Sequence, residues 1–138
     1  DMRVSFEPLS PKAIMPTRPH TSDAGWDIFV PEDTILTPGR VAFVSVHLRL
    51  HMPCVENLFA WNVATSGMSQ RGFIILPGVI DPGYEGDIGP LVLNLSGSLV
   101  CLPAKTKVSQ LLFMQTAYVE LDTDFRTKGF RPAKRWFL

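Results

Sequence analysis

With 138 residues the chain holds one domain with a real core and no comfortable room for two. Its 13 basic and 13 acidic residues cancel to a formal net charge of zero, so no global field draws it to nucleic acid or to an anionic membrane. No apolar run approaches the roughly 18 residues that a membrane-spanning helix needs, and the N-terminus lacks a basic-then-apolar signal pattern.

The chain opens on Asp1 and not on Met, which carries the expectation that it is cut from something longer. Twelve prolines and ten glycines then punctuate short apolar runs, as in EPLSPKAIMP, VPED, TPGR and LPGV. The run RVAFVSVHLRLHM, residues 40 to 52, puts Val44, Val46, Leu48, Leu50 and Met52 on one face. Phe43, Ser45, His47, Arg49 and His51 take the other, the period-2 pattern of a half-buried strand. ENLFAWNVAT reads similarly, with Phe59, Trp61 and Val63 on one side, and SGMSQRG has room for one turn of helix at most.

Next comes LPGVIDPGYEGDI, residues 76 to 88. Pro82-Gly83 has the chemistry of a type II turn, proline fixing φ at the first central position and glycine taking a positive φ at the second. FIIL before it and LVLNL after it are expected to pair, leaving Asp81 and Tyr84 at the two corners of a hairpin tip. From the residues alone this is either an ordinary turn or a site carried on a rigid hairpin. SLVCLPA and KVSQLLFMQTAYVEL complete the series of strands, and no amphipathic helix, repeat or low-complexity tract interrupts it. The expected fold is all-β, a sandwich or barrel of short strands, over residues 1 to 125. RTKGFRPAKRWFL, residues 126 to 138, loses the alternation and reads as a separate basic arm.

His47 and His51 are four apart, but on a strand that spacing separates their side chains by about 13 Å, too far to share a zinc ion. His20 has no partner in view. Neither a nucleophile elbow nor a phosphate-binding glycine loop is present. Cys54 and Cys101 lack metal spacing and read as buried small hydrophobes of a reduced intracellular protein, with a single disulfide between them as the alternative. The arm carries Arg126, Lys128, Arg131, Lys134 and Arg135 among Phe130, Trp136 and Phe137. It is either a solvated tail or a phosphate-contacting arm, and its apolar end could engage a protein partner by adding to a sheet edge.

Taken together, the segments resemble the homotrimeric dUTPase family over roughly residues 3 to 115. DAGWDI (23 to 28), TSGMSQRG (65 to 72), GVIDPGYEGDI (78 to 88) and KVSQLLF (107 to 113) are similar to its first four motifs, in order. The third is the most specific, fixing Gly78, Asp81, Tyr84 and Gly86 at once. The spacing from Ser66 to LPGVID resembles the compact retroviral branch, which implies a viral or retrovirus-derived source.

The resemblance implies a dUTPase-like jelly roll, a trimer with pockets built across subunits, and hydrolysis of dUTP to dUMP and pyrophosphate. By that likeness Asp81 orients the water that attacks the α-phosphorus. The hairpin of Gly78, Val79 and Ile80 offers main-chain groups to the uracil edge, and Tyr84 packs under the deoxyribose. Ser66 and Gly67 meet the phosphates, Gln110 places phosphate or water, and Asp27 supports Mg²⁺ held mainly by the triphosphate.

Three motifs depart from the family. Thr65 stands where an arginine is usual, which removes a bidentate phosphate contact. Lys105-Thr106 replaces Gly-Asp. In the glycine-rich fifth motif only Gly129 and Phe130 fit, followed by Arg131, Pro132 and Ala133. Arg71, Arg126, Lys128 and Phe130 are the candidates to restore phosphate contacts. Two readings follow: an active diphosphatase, or a chain that keeps the fold for nucleotide binding or for a regulatory protein partner.

Overall fold

The computed structural model describes residues 2–53 and 57–124. Among these, eleven strands and one short helix form four antiparallel sheets. β1 (Ser5–Pro8) pairs with β5 (Leu48–His51), and β3 (Thr34–Leu36) pairs with β10 (Val100–Leu102). A three-stranded sheet runs β4 (Val41–Phe43), β9 (Leu91–Asn94), β7 (Phe73–Ile75). The largest runs β2 (Trp26–Phe29), β11 (Lys107–Gln115), β6 (Leu58–Val63), β8 (Gly78–Ile80). The all-β expectation holds. The proposed arm at 126 to 138 and Cys54 lie outside the described residues.

The core draws one side chain from every second position. Val44, Val46, Leu48, Leu50 and Met52 are all buried, as the alternation predicts. Yet residues 40 to 52 do not form one strand. The ladder stops after Phe43 and resumes at Leu48, with His47 at φ +58 between them. The Asp87 carboxylate fills the gap: it accepts from Ser45 Oγ (2.6 Å), Val46 N (3.2 Å) and His47 N (2.9 Å), and from Gly89 N (2.8 Å). A side chain thus satisfies backbone donors that a neighbouring strand would otherwise take.

Two further expectations, at Cys101 and at the end of β11, need correction. In β6 Phe59, Trp61 and Val63 do share one side, the half-buried outer face, while the core takes Leu58, Ala60 and Asn62. Asn62 can lie inside because its Nδ2 donates to Ile88 O (2.7 Å) and its Oδ1 accepts from Ser109 Oγ (3.0 Å). Cys101 is exposed and free, because it alternates with the buried Leu102 on β10. Finally, β11 ends at Gln115, so residues 116 to 121 are not strand.

Candidate active site

FIIL and LVLNL do pair, with Phe73 opposite Asn94 and Ile75 opposite Val92. The segment between them, however, is more than a loop. Gly78–Ile80 crosses to another sheet and pairs with β6, Gly78 opposite Asn62 and Ile80 opposite Ala60. β8 is therefore an edge strand, and alternate N–H and C=O groups on its open side have no strand partner among the described residues.

The Asp81–Tyr84 turn follows directly, closed by Tyr84 N donating to Asp81 O at 3.0 Å. It is not a type II turn. Positive φ falls on Gly39, Gly72 and Gly97 and not on Gly83.

Beside β8 lies a cavity of about 310 Å³ lined by Asn62, Gly78, Val79, Ile80, Tyr84, Ile88 and Gly89, with Phe43 and Leu91. Tyr84 is held at its far end, where its hydroxyl donates to Asp87 O at 2.9 Å. The ring lies over Gly86, where any Cβ would run into it. Asp81 does not line this cavity. It is exposed and borders a neighbouring one of about 340 Å³ with Asn57, Phe59, Pro82 and Thr116, and Val79 forms the shared wall. Its carboxylate makes no hydrogen bond or ion pair among the described residues.

The other expected site residues gather around β2, β11 and the start of α1 (Ser66–Gln70). Asp27 stands opposite Gln110 in the β2–β11 register, and its carboxylate lies 3.7 Å from Lys107 Nζ. Gln110 Nε2 donates to Ala64 O at 3.0 Å, which ties β11 to the segment entering α1. Gly25 leaves room for that side chain, since a Cβ there would come within 2.8 Å of Gln110 Oε1. Ser66 and Gly67 are exposed in the first turn of the helix.

Thr65, at the usual arginine position, is buried and caps the helix, its Oγ1 accepting from Met68 N at 3.3 Å. Arg71, expected to help with phosphates, leaves the helix at its other end and stacks over the Phe73 ring, 5.3 Å from its centroid. Arg126, Lys128 and Phe130 lie outside the described residues.

The structure thus brings Gly78, Val79, Ile80, Asp81 and Tyr84 together at one edge of the four-stranded sheet. Asp27 lies on β2 at the other edge with Gln110 beside it on β11, and Ser66 and Gly67 begin α1 just after the Ala64 carbonyl that Gln110 holds. With strands about 4.8 Å apart, β2 and β8 are separated by about 14 Å. Three residues of the neighbourhood were not expected from the sequence. Asn62 breaks the apolar rhythm of FAWNVA, and Asp87 stands within the third motif, next to Gly86. Lys107 is the cation beside Asp27.

No group of three or more His, Cys, Asp or Glu that could hold a metal ion occurs among the described residues. Asp27, Gln110 and Ser66 offer one carboxylate and neutral oxygens. That donor set fits a magnesium ion bound chiefly by substrate phosphates and does not fit a protein cage.

The described residues therefore form an all-β domain with a small apolar cavity on an edge strand and, at the adjoining turn, a carboxylate that none of them pairs. The dUTPase family model matches residues 11–131, and the chain belongs to the dUTPase family. Its fold is the jelly roll of that family.

It is 32% identical over 124 residues to the deoxyuridine 5'-triphosphate nucleotidohydrolase of Solibacter usitatus, covering 86% of this chain and 83% of that protein. It is 31% identical over 126 residues to the Pol polyprotein of caprine arthritis encephalitis virus, covering 86% of this chain but only 11% of the polyprotein. Among solved structures, a mutant dUTPase from phage phi11 of S. aureus, which coordinates a structural Mg(II) ion, superposes with a TM-score of 0.77 at 25% identity. The match covers 88% of this chain and 95% of that one. The dUTPase of Staphylococcus bacteriophage 80alpha, solved with dUPNHPP, shares the fold at 23% identity and a TM-score of 0.77, over 88% of this chain and 87% of that one.

Proposed function

We propose that this chain is a dUTP diphosphatase that hydrolyses dUTP to dUMP and pyrophosphate. One observation carries the reading. Asp81 presents an exposed carboxylate, unpaired among the described residues, at the turn that leaves the open edge of β8, next to a cavity of nucleoside dimensions.

The open edge of β8 supplies fixed main-chain donors and acceptors for the uracil edge. Cytosine would leave such groups mismatched, and unpaired buried groups are what make polar recognition selective. The Tyr84 ring, held by Gly86 below and Asp87 O at its tip, closes the sugar side against a 2′-hydroxyl. Asp81 accepts a hydrogen bond from the attacking water and holds its proton as the oxygen approaches the α-phosphorus, with pyrophosphate as the leaving group. Ser66, Gly67 and Gln110 orient the phosphates, and Asp27 would help to hold magnesium beside them. Magnesium, when bound, neutralises phosphate charge.

Binding of dUTP and dUMP follows from this reading. So does assembly: with the halves of the site about 14 Å apart across one sheet, a second copy in a homotrimer would bring its Asp27 half to this chain's Tyr84 half. The retroviral and phage relatives support a viral or retrovirus-derived source. Retention of Asp81 speaks against a chain kept for binding alone, since the base cavity does not need it.

The test is pyrophosphate release from dUTP with Mg²⁺, beside Asp81→Ala and with dCTP and dTTP as competitors. Turnover confined to dUTP and lost in the variant is the expected result. Equal release by both proteins would overturn it.

A further inference from the structure

The Tyr84 turn has a second boundary, a polar groove of about 250 Å³ that Arg49, His51, Pro82, Gly83 and Glu85 help to line. Arg49 stands out there because it engages the turn twice. Its backbone bridges to Asp87, while the neighbouring Leu48 O accepts from Ile88 N at 3.0 Å. Its side chain reaches the other way, Nε donating to Glu85 O at 2.6 Å. The peptide that follows Glu85 is the one on which the Tyr84 ring rests, through Gly86. On its other side the guanidinium is fixed by Glu7 of β1, Nη1 lying 3.2 Å and 3.4 Å from the two carboxylate oxygens. Glu7 is itself pinned by His51 Nε2 at 2.7 Å.

The geometry points to Arg49, oriented by Glu7, as a positioning residue for Tyr84 and thereby for the choice of deoxyribose over ribose. This role rests on the nucleotide reading of the site. A planar guanidinium can hold a carbonyl through Nε and a carboxylate through Nη1 at the same time, which a lysine ammonium cannot do in that geometry. Without the grip on Glu85 O, the stretch from Tyr84 to Gly86 is left, among the described residues, with the turn bond to Asp81 O, the hydroxyl bond to Asp87 O and the backbone bridge that anchors Asp87 beside it. A ring free to tilt leaves space where a 2′-hydroxyl was excluded. The N-terminal strand, remote from any reacting atom, then contributes to substrate choice through Glu7.

The experiment compares R49K, R49M and E7Q with the unaltered protein, measuring kcat and KM for dUTP and for UTP together with melting temperature. Both Arg49 variants should narrow the dUTP-over-UTP ratio of kcat/KM about tenfold, mainly through KM, and E7Q should narrow it less. A merely structural Arg49 would lower the melting temperature and leave that ratio unchanged, which overturns the proposal. R49K keeps the charge beside Glu7, so it serves if R49M does not fold.

Amide hydrogen exchange across residues 83 to 87 reads the grip without turnover. Faster exchange confined to that stretch in R49K supports the proposal, and unchanged exchange overturns it. Failure of the unaltered protein to release pyrophosphate sinks the nucleotide reading instead, with the exchange result still deciding whether Arg49 holds the turn.

Discussion

Tyr84 donates its hydroxyl to the backbone carbonyl of Asp87, 2.9 Å away, so the ring folds back across Gly86 and is fixed at both ends. A methyl group at position 86 would come within 3.0 Å of the ring's Cε1 and closer to its tip. Gly86→Ala should therefore displace the ring and break the hydroxyl bond. The expected result is a KM for dUTP raised about tenfold, with about 1 kcal/mol lost in stability. Steady-state kinetics and thermal melting check the two parts separately.

The Asp81 carboxylate is exposed and supports no hydrogen bond among the described residues, so removing it should leave the fold intact. Asp81→Asn is expected to lower kcat on the order of a thousandfold while changing nucleotide affinity little. Single-turnover kinetics beside calorimetric titration with a non-hydrolysable dUTP analogue would show the split. A parallel fall in affinity would place Asp81 in binding and not in the reaction.

Thr65 caps α1 through its hydroxyl. Thr65→Val should cost about 1 kcal/mol by leaving Met68 N without its acceptor, and Thr65→Ser should be nearly neutral. Restoring an arginine there removes the cap as well, so Thr65→Arg should lower the melting temperature. Thermal unfolding of the three variants gives the order.

Lys105 occupies the left-handed region at φ +75, at the position where the family pattern has glycine. A residue with a Cβ is strained there, while glycine is not. Lys105→Gly should stabilise the protein by about 0.5–1 kcal/mol after its extra unfolded-state entropy is set against the relieved strain. Urea denaturation measures it, and a loss of stability would refute the strain argument.

Glu7 gives a prediction in pH. The hydrogen bond from His51 is the main cause that holds its carboxyl below the ordinary 4.5; desolvation, next in size, works the other way, and the Arg49 guanidinium adds to the lowering. Glu32 is lowered in the same direction, chiefly by its hydrogen bond from Lys12. As pH falls, the unfolded chain takes up these protons first. The stabilisation is therefore complete above about pH 5 and is lost as pH drops through the depressed folded values. Melting temperature should decline over that acid range, and E7Q combined with E32Q should flatten the decline.

The pattern of buried positions was legible wherever apolar side chains alternate without interruption. Val44 through Met52 were assigned to the core correctly although the strand breaks among them, because burial follows side-chain direction and not the continuity of the ladder. The break itself could not be seen, since it depends on Asp87, some forty residues downstream in the chain. In β6 the alternation shows that Phe59, Trp61 and Val63 share a side but not which side is inner, because Asn62 is accepted inside by two long-range partners that no local pattern reveals. The third motif puts Asp81, Tyr84 and Gly86 in one short segment, and the structure folds that segment into one turn. Lys107 and Arg49 went unnoticed because their roles arise from strand register.

The placement of β8 and β2 at opposite edges of one sheet has a genetic reading. If each working site takes its hairpin from one chain and its Asp27–Gln110 half from another, two dead alleles can rescue each other. Mixing an Asp81 variant with a Gln110 variant at equal amounts, after dissociation and reassembly, should return activity to about a quarter of the sites by random pairing. A single lesion mixed with unaltered chains leaves half of the sites active however the site is built, so only the mixture of two different lesions separates the two arrangements. Sites built within single chains would give no rescue.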